Sequence, residues 1–262
     1  MAFTIASRDI EILRYEDRYR HQSMEVLRRS FFLHESVCIG SEVNITPQAQ
    51  CDLELLCTEV ANRGVTLIAR HSPTDTILGV AFNILQTLNQ RDANSYFEQF
   101  HDSKCTTDSS RSVLNYMIAM DAKVNLFEMY NVSCVLDIMY LSTLPAYAGH
   151  GIATKLVEQS IQLAEDLKTG KTVLNSSNSR PQLISALFSS RISQRVGEKI
   201  GFQFIKEVPH SEFIFRAFVD VSFTAHTTNY VRSEHALMFL SNLFGPWWLL
   251  GKTIPITMDS KK

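Results

Sequence analysis

The chain has no long apolar run, no excess of charge of one sign and no cysteine pattern, and each absence closes a class of function. Its most apolar stretch, ALMFLSNLFGPWWLLG (residues 236–251), falls short of the about 18 residues that mark a bilayer span, and Gly245 and Pro246 interrupt it. Packing against a sheet or a partner is expected there, not a membrane span. Net charge is −2 with acidic and basic residues interspersed, which argues against nucleic-acid binding and a polybasic membrane patch. The five cysteines (Cys38, Cys51, Cys57, Cys105, Cys134) are odd in number and scattered, and no Cys-x-x-Cys or Cys/His group has metal-ligand spacing. Reduced thiols in a cytoplasmic protein without a metal site follow. The N-terminal segment MAFTIASRDIEILRYEDRYR is charged from position 8 and lacks the apolar core of a secretory signal. The sequons at Asn44, Asn131 and Asn175 therefore carry little weight.

What is present is an ordinary apolar mass. With 45% hydrophobic and 20% charged residues, and no repeat or linker, the 262 residues are expected to form one α/β domain over 1–262. The oligomeric state is left open, with a monomer as the default. The order of elements reads as strand (from Ile10), helix through Leu27 and Phe32, helix over 50–62, then a hairpin of VTLIARH and ILGVAFNILQ around the turn SPTDT. A polar stretch over 89–111 is expected to hold a short helix and a flexible tip, and 113–129 is helical in period. A second apolar run, QLISALFSS (182–190), is followed by a short helix closed by Gly201 and then a strand, with a later strand expected over 213–223 and a helix near 231–243. Such an order gives a mixed sheet flanked by helices.

The most informative stretch lies at 134–167. CVLDIMYLSTL ends in Pro145, the small-residue turn AYAGHGIA follows, and TKLVEQSIQLAEDL is amphipathic. Strand, glycine turn and helix in this order aim backbone N–H groups and the positive end of the helix dipole at one spot. Gly149 and Gly151 lack a Cβ, so a phosphate can approach the backbone. Two familiar anion cradles fail on spacing. A P-loop needs Lys-Ser/Thr directly after its last glycine, where this chain has Ile152 and Ala153; a dinucleotide fingerprint needs a third glycine, where it has Thr154.

The turn resembles the acetyl-CoA motif of the GCN5-related N-acetyltransferase superfamily, Arg/Gln-x-x-Gly-x-Gly/Ala, aligned on Ala148, Gly149, His150, Gly151, Ile152 and Ala153. Ala148 departs from the usual Arg or Gln and removes a side-chain contact to the pyrophosphate, which His150 would replace in part. Two further blocks resemble the insect-type arylalkylamine N-acetyltransferases. FFLHESVCIG (31–40) is similar to Phe-x-x-Asp-Glu-Pro-Leu, and ALFSSRISQRVGEKIGF (186–202) to a strand-to-helix segment with Thr/Ser-Ser-x-x-Ser followed by Glu-Lys-Leu-Gly-Phe. His34 and Ser36 depart from the Asp and Pro of the acidic block.

This resemblance implies a mostly antiparallel mixed sheet with splayed central strands, an acetyl-CoA core over about 134–205, and C-terminal strands and a helix over 206–262. It puts the catalytic carboxylate on Glu35 and two active-site serines on Ser189 and Ser193, to hold a water chain or protonate the leaving thiolate. Helix capping competes for the serines, with Ser189 or Ser190 as the cap. Leu141, Ser142 and Thr143 would offer backbone groups to pantetheine, and Gly149 to Thr154 would cradle the pyrophosphate. Asp137 reads as an inward polar residue, on the substrate side by position. His210 and His226 are weaker candidates for proton removal; a family His is sometimes found at the latter position. The implied reaction is acetyl transfer from acetyl-CoA to a small primary amine: an arylalkylamine such as dopamine, serotonin or tyramine, or else agmatine, a polyamine, or a longer acyl donor in place of acetyl. A non-catalytic acyl-CoA-binding or protein-binding member of the fold is the competing reading.

Overall fold

The computed structural model describes residues 9–88, 96–174, 178–213, 215 and 226–232, the last segment by its backbone. In chain order the elements are β1 (Ile10–Arg14), α1 (Arg20–Val26), a π turn (Leu27–Phe31), α2 (Phe32–His34), α3 (Ser36–Gly40), α4 (Pro47–Ala61), β2 (Leu67–His71) and β3 (Thr76–Thr87). Then come α5 (Tyr96–Lys104), α6 (Asp108–Lys123), α7 (Leu126–Tyr130), β4 (Cys134–Thr143), α8 (Ile152–Thr169), β5 (Leu183–Phe188), α9 (Arg191–Ile200), β6 (Gln203–Pro209) and β7 (His226–Arg232). The strands form one sheet in the order β1-β2-β3-β4-β5-β7-β6. Every neighbouring pair is antiparallel except β4 and β5.

That parallel pair positions the site. β4 and β5 are in register only from Val135↔Leu183 to Ile138↔Ala186, after which they part. β4 runs on to Thr143, still paired with β3 but with no strand partner on its β5 side among the described residues. The splayed arrangement implied by the resemblance is thus present. Side chains alternate along β4. Leu136 and Ile138 join Val157 and Ala164 of α8 in one apolar cluster, which puts Asp137 on the opposite face. A β-bulge between Phe82 and Asn83 shifts the β3–β4 register, and Tyr140 beyond it stacks on Phe31 with ring centroids 4.4 Å apart.

Several sequence expectations need correction. The segment read as one helix over 113–129 is two, α6 and α7, broken where Val124 turns extended and Asn125 caps the second by accepting from the Glu128 N–H. The helix expected from Gln50 starts earlier, with Pro47 in its first turn, where a missing N–H costs nothing. Val231 and Arg232, expected to open a helix, lie in β7, whose pairing with both β5 and β6 outweighs their local periodicity. The strand expected over 213–223 and the remainder of the C-terminal helix, including the apolar stretch 236–251, lie outside the described residues. So do most of the polar tip after Leu88 and the sequon at Asn175.

Candidate active site

Glu35 sits where α2 ends and α3 begins, with extended backbone (φ −74°, ψ 134°). Its carboxylate caps α3: Oε2 accepts from the Cys38 N–H at 2.9 Å. The π turn just before α2 adds an extra residue per turn, a local widening that recurs at functional sites. Oε1 accepts from the Ser189 hydroxyl at 2.5 Å, a contact between residues 154 positions apart. This bond ties the N-terminal helical run to the turn between β5 and α9. Burial pushes the Glu35 carboxyl above its ordinary value of 4.5, and the bonds from Ser189, Cys38 and Val37 only partly oppose that shift. A carboxylate so placed is a stronger base than one in water.

Ser190, not Ser189, is the helix cap. Its hydroxyl accepts from the Ser193 N–H at 3.2 Å, and Ser193 Oγ accepts in return from the Ser190 N–H at 3.3 Å, completing a capping box. Ser193 Oγ also lies 2.9 Å from the Ser190 carbonyl, to which it donates. The Ser193 proton is therefore engaged by backbone, whereas Ser189 hands its proton to Glu35. α9 can lie flat on β5 because residue 197 is glycine; a Cβ there would overlap the Phe188 ring. Replacing Ser193 by Ala is expected to cost about 1 kcal/mol of stability, with kcat per folded molecule within about threefold of wild type. Thermal melts beside steady-state kinetics check this. A fall in kcat of about 10²-fold at unchanged KM would instead assign Ser193 the general-acid role.

Gly149 and Gly151 have φ of +80° and +76°, and among the described residues no atom beyond their chain neighbours lies within 4 Å of where a Cβ would stand on either. α8 starts at Ile152, and its N-cap, Gly151, offers no side chain to cap the first N–H groups. The space in front of them is open, as an incoming phosphate requires. Ile152 itself is buried and serves as an anchor against β3, so only its backbone can face a ligand. His150 turns its Nδ1 back to the Ala148 and Tyr147 carbonyls, at 3.0 and 3.2 Å.

One cavity of about 440 Å³ joins these parts. Leu141, Ser142, Thr143, Ala148 and Ala153 line its end toward the glycine turn; Glu35, Ser189 and Ser193 line its middle. Gly149, His150, Gly151, Ile152 and Thr154 flank it without lining it. Ser142 is buried, and its hydroxyl has no hydrogen-bond partner among the described residues. Asp137 is buried in the same wall, accepts from Ser185 Oγ at 2.7 Å, and is pushed up by burial to about 6. Sequence reasoning did not single out the far wall of Phe31, Phe97, Tyr116, Met117 and Asp121. Part of the signal was available: Val113, Met117 and Asp121 repeat at four-residue spacing on one face of α6. His210 packs edge-on to Tyr116 at 6.0 Å, behind this wall, and does not line the cavity; His226 opens β7. Among the described residues no group of His, Cys, Asp and Glu has metal-site geometry, and no helix is long and apolar enough to cross a membrane.

No family model and no curated protein sequence matches the chain. Solved structures do. The chain is similar to arylalkylamine N-acetyltransferase 2 from Aedes aegypti at 21% identity and a TM-score of 0.69, over 86% of this chain and 99% of that one. It is similar to an agmatine N-acetyltransferase at 16% identity and a TM-score of 0.69, over 86% and 99% of the two chains. A polyamine N-acetyltransferase from Drosophila melanogaster matches at 15% identity and a TM-score of 0.63, over 86% and 100%. At such identities the likeness is one of architecture: the chain is built on the GCN5-related N-acetyltransferase fold.

Proposed function

We propose that the protein transfers an acetyl group from acetyl-CoA to a small primary amine, with Glu35 as general base. The observation that carries this reading is the Glu35–Ser189 hydrogen bond in the middle of a cleft that opens toward the glycine turn. Acetyl-CoA would supply an activated thioester. The glycine turn before α8, the edge of β4 over 141–143 and the Ser142 hydroxyl, neither of the latter two partnered among the described residues, fit its pyrophosphate and pantetheine. An alkylamine with a pKa of about 10 is protonated at neutral pH and has no lone pair with which to attack. Glu35 takes that proton, directly or through a water held by Ser189. The free amine nitrogen then bonds to the thioester carbonyl carbon, the C–S bond breaks near the positive end of the α9 dipole, and the second proton lost by the nitrogen passes through water to the departing sulfur, so that a neutral amide and a thiol result. A backbone N–H on the free edge of β4 polarises the carbonyl.

The rings of Phe31, Phe97 and Tyr116 suit an aryl group, so dopamine, serotonin and tyramine are acceptors to try, beside aliphatic amines. The absence of an Arg or Gln at Ala148 favours the competing reading, an acyl-CoA-binding protein without turnover. Thiol release from acetyl-CoA with a panel of amines decides between them. Turnover with at least one amine is expected; tight CoA binding with no turnover across the panel would establish the binding protein instead.

A further inference from the structure

The buried face of α8 is apolar except at one position. Ser160 lies fully buried among Leu156, Val157, Leu163, Ala164 and Leu167. Asn83 of β3, also fully buried, donates from Nδ2 to Ser160 Oγ at 2.9 Å and to the Val65 carbonyl at 3.0 Å. Because a carbonyl only accepts, Val65 fixes which way the Asn83 amide points. The Ser160 hydroxyl donates onward to the Leu156 carbonyl at 2.9 Å, which leaves its lone pairs for Asn83. Asn83 Oδ1 has no partner among the described residues. A buried amide satisfied at one end only is a poor source of stability, and what it adds to apolar packing is direction.

Asn83 stands where the sheet divides. Its partner on β4 is Ile138, the last residue of β4 in register with β5, and the next residue, Met139, is the extra one of the β-bulge. Four residues earlier on β3, Gly79 pairs with Thr143, and a Cβ on Gly79 would stand 2.9 Å from the Ile152 side chain. α8 therefore meets β3 at two levels, Ile152 at Gly79 and Ser160 at Asn83. The spacings agree, since four residues of strand span about 13 Å and eight of helix about 12 Å. The β4 edge at 141–143 and the glycine turn both lie toward the Gly79 level. Apolar contact is non-directional and does not by itself fix a helix along its axis. A shift of one turn would bring Leu156 or Ala164 against Asn83, and neither side chain can accept its hydrogen bond.

We propose that Asn83 and Ser160 are a positioning pair, which pins α8 along β3 and so sets the distance from the pyrophosphate cradle to the β4 edge that holds the thioester. A cofactor held at both ends gains affinity only while the two points match its own length. This inference rests on the acetyl-CoA reading of the cleft and deepens it.

The double variant Asn83→Leu/Ser160→Ala tests it, because replacing both partners by apolar groups is close to neutral for stability. It is expected to melt within about 4 °C of wild type. Calorimetric titration should show acetyl-CoA binding at least about tenfold more weakly. Thiol release should fall by about 10²-fold, as a displacement of about 1 Å at the reacting atoms can produce. A folded double variant with wild-type acetyl-CoA affinity would overturn the pin and leave acetyl transfer standing. A wild type that binds no acetyl-CoA would overturn both. If the double variant does not fold, Ser160→Ala, which removes one oxygen, is read against Leu167→Ala, two turns further along the same helix. Ser160→Ala is expected to weaken acetyl-CoA binding by at least about threefold with the smaller fall in Tm. Leu167→Ala should lower Tm more and keep affinity within about twofold. Unchanged affinity in Ser160→Ala, or losses that follow Tm in both variants, would reduce the pair to a packing feature and overturn the proposal.

Discussion

Glu35→Gln is expected to lower kcat/KM for the amine by about 10²- to 10⁴-fold, the usual worth of a positioned general base, and to leave acetyl-CoA affinity unchanged. The substitution isolates proton affinity because the local network survives it. A Gln oxygen can accept from the Cys38 N–H, and its NH₂ can donate to Ser189, whose oxygen accepts in place of donating. The pH profiles should separate as well. Burial raises the Glu35 carboxyl, so wild-type kcat/KM should begin to fall on the acid side at a higher pH than an ordinary carboxylate with a value of 4.5 would give. The variant lacks that limb and should simply follow the free-amine concentration upward with pH.

Stability supplies a second readout with a fixed sign. A carboxyl whose folded value is raised binds more protons folded than unfolded between those two values. Stability contributed by Glu35 is therefore fully present below pH 4.5 and declines as pH rises through the raised value. Glu35→Gln removes this dependence, so the variant should melt no lower than wild type at neutral pH and lose its advantage in acid. Near wild-type kcat/KM at pH 7 would remove Glu35 from the mechanism. A variant both slower and less stable at neutral pH would mean the carboxylate chiefly caps α3.

What could be read from the sequence is what depends on near neighbours. The four-residue repeats of Leu156, Ser160, Ala164 and of Leu163, Leu167 fix the buried face of α8, and Gly170 ends it with a positive φ. The continuous apolar run from Cys134 fixed the central strand, buried on both faces. The relation between Glu35 and Ser189 was not legible, since nothing local to either reports a partner 154 residues away. The family resemblance nominated both residues; the hydrogen bond between them came only with the fold. Nor could composition decide among Ser189, Ser190 and Ser193, because each has the chemistry of a cap and of an active-site hydroxyl. The backbone settled it: the residue in extended conformation immediately before α9 is Ser190, which leaves Ser189 facing Glu35. β7 was missed for the opposite reason, its strand character being set by two neighbours in the sheet and not by its own alternation.

Gly151→Val is expected to abolish most of the affinity for acetyl-CoA while the fold persists. At φ +76° a β-branched residue is strained by roughly 1–3 kcal/mol. Among the described residues no atom beyond its chain neighbours stands in the way, so the side chain would occupy the space in front of the first N–H groups of α8. Loss of two charge-assisted hydrogen bonds to a phosphate, each worth about 1.5–3 kcal/mol, corresponds to a rise in Kd of about 10²-fold or more. Strain alone could mimic part of this by shifting the turn, and the chain carries its own control. Gly170 closes the other end of the same helix at φ +77°, with the nearest side chain, Arg180, 3.4 Å from its Cβ position. Gly170→Val should impose a comparable backbone penalty and lower Tm, yet leave CoA affinity within about twofold, because it is remote from the cradle. Circular dichroism with calorimetric titration of both variants separates occlusion from strain. If folded Gly151→Val binds acetyl-CoA as wild type does, the turn is only a connection between β4 and α8, and the assignment of the cleft's cofactor end falls with it.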